Sequence, residues 1–585
     1  MAPEPQRILW LDFTSGSRMA PKHSQMLRPQ RAARNAVVLA VCLSLQMSAL
    51  APMAQAQAQA QQTQAVAAAT QPLRLPFADN ALPSLGDANS QSLSPSSERR
   101  LGDRVMRSVL SDPDVIDDPL VLEHVDQVWS SLLDSARQRG EITDELDTAY
   151  AWRPFLVREK SVNAFALPGG YIGIHLGLLA MTATSEEFAS VLAHELSHVT
   201  QRHIARLMSA SRQTSWVSIA SMVLGALAMS RNPQAAQALI IGGQGVAAQG
   251  QLNFSRDMER EADRVGFGVL TDAGYAPSGM ADMFELLAKA SRLNDDNSYP
   301  YLRSHPLTTE RIGEARARLG SGGLLGAPTA RSVLAVVEAR QAMELRQALM
   351  SARSKVLMDS RSTALQTWLG DVSLPSAASA VDVLAAHYTR LVALVATKDR
   401  SQVEPLLKQL REDANHLNAV QAKEASRVLT LTEIEGLIAT GRALQALQIL
   451  QDTPQTLQID AARPELILRG RAAMALPEQS EHRAVFQDAA TRLQTWVSTH
   501  PQDASAWQLL SGLWVRLGEP LRAVRADAEA AAALGDLSGA IDRIDSARRR
   551  YLQPKPADLI ELSVMDARVR AWRQTLREDA RQDLG

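Results

Sequence analysis

Five consecutive residues, His194-Glu195-Leu196-Ser197-His198, set two imidazoles around a carboxylate. The stretch from Ser185, with Glu186 and Glu187 in its first turn and Phe188, Val191 and Leu192 behind them, predicts a helix running past His203. Residues four apart on a helix share a face, so His194 and His198 can direct ring nitrogens at one ion. Glu195 lies beside them, where a carboxylate can take the proton of a water activated by that ion. The chemistry of such a set is peptide hydrolysis, with Glu195 passing the proton to the leaving amine. Val191, Leu192, Ala193 and Leu196 surround the motif, so its helix is expected to pack inside. Two histidines and a glutamate buried without partners are costly, and a metal removes that cost.

A site that keeps one position open needs a third protein ligand. Ser255 to Asp263 offers Glu259, Glu261 and Asp263. Glu259 and Asp263 are four apart and share a face, whereas Glu261 points elsewhere. Glu259 could bind the metal while Asp263 accepts an N–H from a ligand histidine. Spacing alone does not choose among the three carboxylates. His203 comes nine residues after His194, about two and a half turns on, and is expected to face away as a structural or surface residue. Tyr275 and Arg256 are open candidates for stabilising the transition-state oxyanion. Cys42 is the one cysteine, so an intramolecular disulfide and a zinc site built from several cysteines are both excluded.

The elements that must position these residues are also readable. Val105, Val109 and Leu110, then Val121, Val125, Val128 and Leu132, recur at helical spacing. Phe155-Leu156-Val157 and the run Val162 to Leu167 read as β, and Pro168-Gly169-Gly170 turns the chain into Tyr171-Ile172-Gly173-Ile174 as a hairpin. Residues 215–229 are apolar but too short to span a bilayer comfortably, and read as a buried or cleft-lining helix. Gly320 to Pro328, rich in glycine and free of charge, marks a domain boundary. Beyond it the chain reads as helical. Trp507, Leu510, Trp514, Gly518, Ala523 and Ala530 fall at tetratricopeptide offsets, with Asp527 where an aromatic is usual. Gly441, Ala446, Leu450 and Pro454 suggest an earlier phase, and Gly535 and Ala540 a further helix pair. About four degenerate repeats, stacked with a concave face, would suit a protein partner or an extended chain.

The chain has 585 residues, enough for two or more folded units. Its 46% apolar and 21% charged residues exclude a wholly disordered or collagen-like chain, and a net charge of −2 gives no basic excess for nucleic acid. Lys22, Arg28, Arg31 and Arg34, the apolar run Ala36 to Leu50, and Ala54-Gln55-Ala56 read in order as an export signal. Cleavage after Ala56 would remove 6 basic and 2 acidic residues, leaving a net charge of −6 and no cysteine. Residues 1–56 are thus expected to be a signal peptide with an extended N-terminus. Residues 57–96, rich in Gln, Ala, Ser and Pro, read as a flexible linker.

The H-E-x-x-H helix followed about sixty residues later by E-x-E-A-D resembles the HtpX and CAAX-prenyl-protease superfamily of gluzincins. The resemblance covers roughly residues 100–320. It implies one Zn2+ per chain held by His194, His198 and Glu259, with Glu195 catalytic and Asp263 supporting the site. Asn163 to Gly170 is similar to that family's N-A-F-A-x-P-G-G strand, which implies that Asn163, Ala164, Phe165 and Ala166 bind substrate backbone by β-addition. It implies an α+β zincin-like domain at residues 97–325, mostly helical with a small hairpin or sheet. An all-α tetratricopeptide-like solenoid would follow at 326–585. Exported members of the superfamily with such a tail share Ser304-His305-Pro306 before an Arg311-containing helix. There the histidine closes the zinc site from a mobile loop, so His305 is expected to be a fourth ligand and a switch. The implied function is a periplasmic zinc endopeptidase with chaperone-like activity toward outer-membrane β-barrel proteins, its repeats meeting clients or the barrel-assembly machinery. Nucleic acid is not an expected partner, and membrane contact is at most peripheral. The competing expectation is a non-catalytic assembly factor with a structural zinc.

Overall fold

Ser94 caps the helix that the periodicity from Leu101 predicts, accepting a hydrogen bond from Ser97 N, and Pro95 sits at its first turn, where a missing N–H costs nothing. In this computed structural model the described residues are 93–210, 255–293, 299–319, 330–370, 377–452, 462–550 and 556–583. The export signal, the apolar run 215–229, Gly320 to Pro328 and Pro454 lie outside them, as does most of the linker. Pro95 and Ser96, placed in the linker by composition, belong to the first helix.

The elements of the first part are α1 (Pro95–Val109), β1 (Val115–Ile116), α2 (Pro119–Gln138), α3 (Asp144–Ala149), β2 (Arg153–Val157), β3 (Ala164–Leu167), β4 (Tyr171–His175) and α4 (Leu176–Met181). Then come α5 (Ser185–Thr200), α6 (His203–Ala210), α7 (Arg256–Asp272), α8 (Ser278–Leu293), α9 (Tyr301–Ser304) and α10 (Thr309–Leu319). The β3–β4 hairpin forms antiparallel as the Pro-Gly-Gly turn predicts. The sheet order is β1-β2-β4-β3, and β2 runs parallel to β4. The hairpin therefore folds back beside β2 and leaves β3 at one edge. Periodicity cannot supply that order, because it identifies strands and not partners.

Every described element from Ala330 onward is helical: α11 (Ala330–Leu357), α12 (Ser362–Leu369), α13 (Ala380–Thr397), α14 (Arg400–Ala414), α15 (Ala419–Ala439), α16 (Ala443–Asp452), α17 (Arg463–Ala475), the short 3-10 turn Ser480–His482, α18 (Arg483–Thr499), α19 (Ala504–Leu517), α20 (Pro520–Ala533), α21 (Leu537–Arg550) and α22 (Pro556–Asp583). Gly518 ends α19 at φ 77, a left-handed conformation that side chains resist, and so lets α20 turn back against α19. Trp507, Leu510, Trp514, Ala523 and Ala530 are buried in that pair. Asp527 is exposed instead and pairs with Arg543 at 2.8 Å. Helix α13 alone among the described residues is long and apolar enough to cross a membrane. Its Leu384, Tyr388, Leu391 and Leu394 are fully buried, and the Tyr388 hydroxyl lies 3.0 Å from Thr432 Oγ1, as befits the core helix of a bundle.

The described residues cohere as one unit. An acidic corner before and within α2 receives three arginines from the helical part. Arg463 pairs with Asp117, Arg353 with Asp118 and Arg427 with Glu123, each at 2.6–2.7 Å. Asp118 also caps α2 by accepting from Val121 N. Far along the chain, Asp579 of α22 pairs with Arg107 of α1.

Candidate metal centre

Helix α5 starts in a capping box: Thr184 Oγ1 accepts from Glu187 N, and Glu187 Oε2 accepts from Thr184 N. Fifteen of its sixteen residues are buried, so the motif passes through the protein interior as its apolar neighbours predict. Helix α7 crosses it closely. A Cβ on Gly266 would stand 3.0 Å from the Ala193 carbonyl oxygen, so glycine permits the approach that brings Glu259 and Asp263 to His194.

His194, His198, Glu259 and His305 each offer one donor atom, all within 4.8 Å of one another, and all four are buried. His198 Nε2 lies 3.0 Å from His194 Nε2, His194 Nε2 lies 3.3 Å from His305 Nδ1, and His305 Nδ1 lies 3.0 Å from Glu259 Oε1. Such separations match the corners of a tetrahedron with bonds of about 2.0–2.1 Å. The donors, three imidazoles and a carboxylate facing inward, are the kind a divalent metal takes. The residues therefore fit a metal.

Each donor has support. His194 Nδ1 lies 3.0 Å from Asp263 Oδ1, as the four-residue spacing suggested. Arg311 donates Nε and Nη2 to Asp263, at 2.7 and 2.8 Å, and Nη1 to the Pro306 carbonyl at 2.9 Å. Its Nη1 is also 2.8 Å from Glu259 Oε2. One guanidinium thus ties two carboxylates of α7 to the loop carrying His305. Tyr301 stacks on His305 with ring centroids 4.7 Å apart. Sequence reasoning gave Arg311 and Tyr301 no role. Arg311 follows His305 at six residues, a spacing that points to nothing until the loop is folded.

Charge follows the same geometry. Burial disfavours a charged His194, yet Asp263 and Glu259 beside it push its pKa up to about 9. Burial, with His194 and His305 adding to it, holds His198 well below the ordinary histidine value. Burial opposes ionisation of Glu259, but His305 and His194 pull it far below the usual carboxylate range. Burial raises Glu195.

Glu195 is fully buried. Its Oε2 accepts from Ala166 N at 3.1 Å, and its Oε1 has no hydrogen-bond partner. Ala166 therefore points its N–H away from β4 and toward the site. Asn163 O accepts from His175 N on the β4 side. The alternation of a strand then turns the backbone polar groups of Ala164 and Ala166 to the outer edge of β3. Phe165 packs over Gly173, edge-on to Phe155 and His175. Asn163 Oδ1 is buried without a partner.

Two expectations need correction. The helix does not run past His203: α5 ends at Thr200, Arg202 takes φ 53, and α6 starts afresh. His203 accordingly does not face away; it is fully buried, with Nδ1 2.9 Å from His198 Nδ1. The Tyr275 hydroxyl lies 3.1 Å from Ser131 Oγ, and Arg256 is exposed on the first turn of α7.

Residues 130–319 match the profile of peptidase family M48. This chain carries a peptidase family M48 domain. A beta-barrel assembly-enhancing protease of Yersinia pestis is 28% identical over 81% of this chain and 88% of its own length. The Escherichia coli K12 protein of that name is 33% identical over 41% of this chain. The match spans about half, 48%, of that relative. The mitochondrial metalloendopeptidase OMA1 of Arabidopsis thaliana is 34% identical over 28% of this chain and 30% of its own length. The M48 match includes all four donors, Glu195, Asp263 and the β3 edge.

Proposed function

We propose that this chain is a zinc-dependent endopeptidase of the periplasm that cleaves misfolded or stalled outer-membrane proteins and supports β-barrel assembly. The observation that carries the proteolytic reading is the buried Glu195 carboxylate, set between the donor cluster and the outward edge of β3. Zinc bound by His194, His198 and Glu259 would supply Lewis-acid polarisation of the scissile carbonyl and an acidified water. Asp263 holds His194 in position, and Arg311 holds Asp263. The Ala164 and Ala166 backbone pairs with an extended substrate segment, whose register then presents one peptide bond to Glu195. Ala166 N must release Glu195 for that pairing, so substrate entry frees the carboxylate. Glu195 takes a proton and delivers it to the leaving amine. Asn163, beside Ala164 with an unmatched side-chain oxygen, would bind the same segment.

The barrel-protein client is supported by the designations of the Yersinia and Escherichia relatives, and the periplasm by the signal-like N-terminus. We assign residues 97–325 to the protease domain and residues 326–585 to a tetratricopeptide-like solenoid, supported by the antiparallel α19–α20 pair and its buried tryptophans. Its role is to hold clients or assembly machinery.

His305 favours a second reading. Four protein donors close a tetrahedral shell, as structural zinc sites do. A non-catalytic assembly factor would keep that shell permanently, whereas a latent protease would open it. Removing the fourth donor separates the two. His305→Ala is expected to retain zinc and to cleave casein or an unfolded β-barrel protein several-fold faster than the parent chain. Loss of cleavage with zinc retained would assign His305 a catalytic task, and an inert parent with an inert variant would favour the assembly factor.

Metal uptake should depend on pH with a definite sign. His194, raised to about 9, carries a proton at neutral pH that the metal must displace. The depressed pKa values of His198 and Glu259 leave those two donors without a proton in this range. Apparent zinc affinity is therefore expected to rise by about tenfold per pH unit from pH 7 to 9 and then to level. Chelator competition at several pH values measures this, and a flat profile would contradict the protonated His194.

A further inference from the structure

Glu261 is the middle carboxylate of the E-x-E-A-D segment and one of the three among which spacing alone does not choose. It lies on a different side of α7 from Glu259 and Asp263. Its Oε2 is 3.1 Å from His203 Nε2 and 2.9 Å from Arg206 Nη1. His203 is 0% exposed, and its Nδ1 faces His198 Nδ1 at 2.9 Å. The two rings stand 4.9 Å apart at 75°.

The proton inventory of this row allows one arrangement when a metal is held. His198 turns Nε2 toward the other three donors, so that nitrogen must offer its lone pair and Nδ1 must carry the hydrogen. His198 Nδ1–H then donates to His203 Nδ1. With that lone pair used, the hydrogen of neutral His203 sits on Nε2, where it donates to the Glu261 carboxylate. Arg206 satisfies the same oxygen from the solvent side.

We infer that His203 and Glu261 are a positioning relay, in which Glu261 orients His203 and His203 fixes His198 in its metal-facing tautomer and rotamer. The two ligand histidines are thereby served alike: Asp263 stands directly behind His194, and Glu261 stands behind His198 with one imidazole between. The backbone break makes the relay possible. Residues five apart on an unbroken helix are about 140° apart around the axis and do not face each other. Arg202 at φ 53, its Nε 3.2 Å from Glu98 Oε2 of α1, ends the helix and turns His203 back toward His198.

The inference rests on the metal-centre reading, and its test separates the two. The full chain and its His203→Leu, His203→Asn, Glu261→Ala and His194→Ala variants would be compared by zinc competition against a chromophoric chelator. The Co2+ absorption spectrum would follow the geometry at the metal, and circular dichroism of the metal-free proteins would check the fold. His203→Leu is expected to weaken zinc affinity by about 10–100-fold and to shift the Co2+ bands. His203→Asn, whose Oδ1 falls near the Nδ1 position, should recover most of the loss. Glu261→Ala, a change at the partly exposed end of the row, should weaken zinc several-fold with the fold unaltered. Parental affinity and spectrum in His203→Leu and Glu261→Ala would overturn the relay. So would a loss in His203→Asn equal to that in His203→Leu with Glu261→Ala unchanged, since that pattern is packing alone. A parent that binds zinc no better than His194→Ala would overturn the metal centre itself, and the relay with it.

Discussion

Glu195→Gln is expected to lower peptide hydrolysis by about 10²–10⁴-fold while leaving zinc content at the parental level. The substitution is nearly isosteric in a fully buried position. The amide oxygen can still accept from Ala166 N, so β3 keeps its place against α5. The donors His194, His198, Glu259 and His305 are untouched. What disappears is a group able to take a proton and give it back. Burial already raises the Glu195 pKa, which favours a carboxylate that holds a proton in passing. Cleavage of casein or an unfolded β-barrel protein, beside metal analysis of the same samples, decides the matter. Hydrolysis within twofold of the parent would remove Glu195 from the mechanism, and loss of zinc together with activity would make it a structural residue.

The second large effect lies far from the metal. Arg353→Met is expected to destabilise the protein by about 3–5 kcal/mol, because it leaves the buried Asp118 carboxylate and the partly buried Glu435 without their partner. Arg353 is 4% exposed and donates to both oxygens of Asp118 and to Glu435 Oε1 at 2.7–3.0 Å. Asp118 in turn caps α2, whose Val121, Val125 and Val128 lie in the core beneath α5. Urea unfolding of parent and variant measures the loss. An Asp118→Asn partner in a double-mutant cycle isolates the pair, since coupling near zero would show that the ion pair contributes nothing net. The measurement also tests how the helical part is attached. Arg353 joins it to the start of α2, so a large loss at this one side chain would mean that the two parts stabilise each other.

Much of the metal centre could be read along the chain because its parts are local. His194, Glu195 and His198 need only one turn of helix, and helical geometry is the same wherever it occurs. Glu259 and Asp263 share a face for the same reason, and they meet the centre as that spacing suggested. The hairpin was legible because Pro168-Gly169-Gly170 interrupts two β-prone runs. The helices of the C-terminal half were legible from composition and period.

His203 marks where this reasoning stops. Helical arithmetic carried it away from the ligands, but the chain leaves the helix at Arg202 with no glycine or proline to announce it. A contact with Glu98, about a hundred residues earlier, accompanies that turn. Arg311 was legible only as part of the motif around His305 and Glu261 only as one of three candidate carboxylates, since each acts through a neighbour some fifty residues away in sequence; the stacking of Tyr301 on His305 needs the folded loop. The order β1-β2-β4-β3, which puts β3 at the edge beside Glu195, depends on which strands find each other.

The chain alone supplies the candidate ligand types, the carboxylate between them, the helical frame and the exclusion of a site built from several cysteines, because these follow from residue chemistry and short-range periodicity. The tertiary structure decided which carboxylate faces which histidine, that His305 joins the cluster, that His203 turns back to it, and that β3 offers its outer edge. Those outcomes depend on packing between segments tens to hundreds of residues apart, where close approach and buried charge select one arrangement that no local spacing encodes.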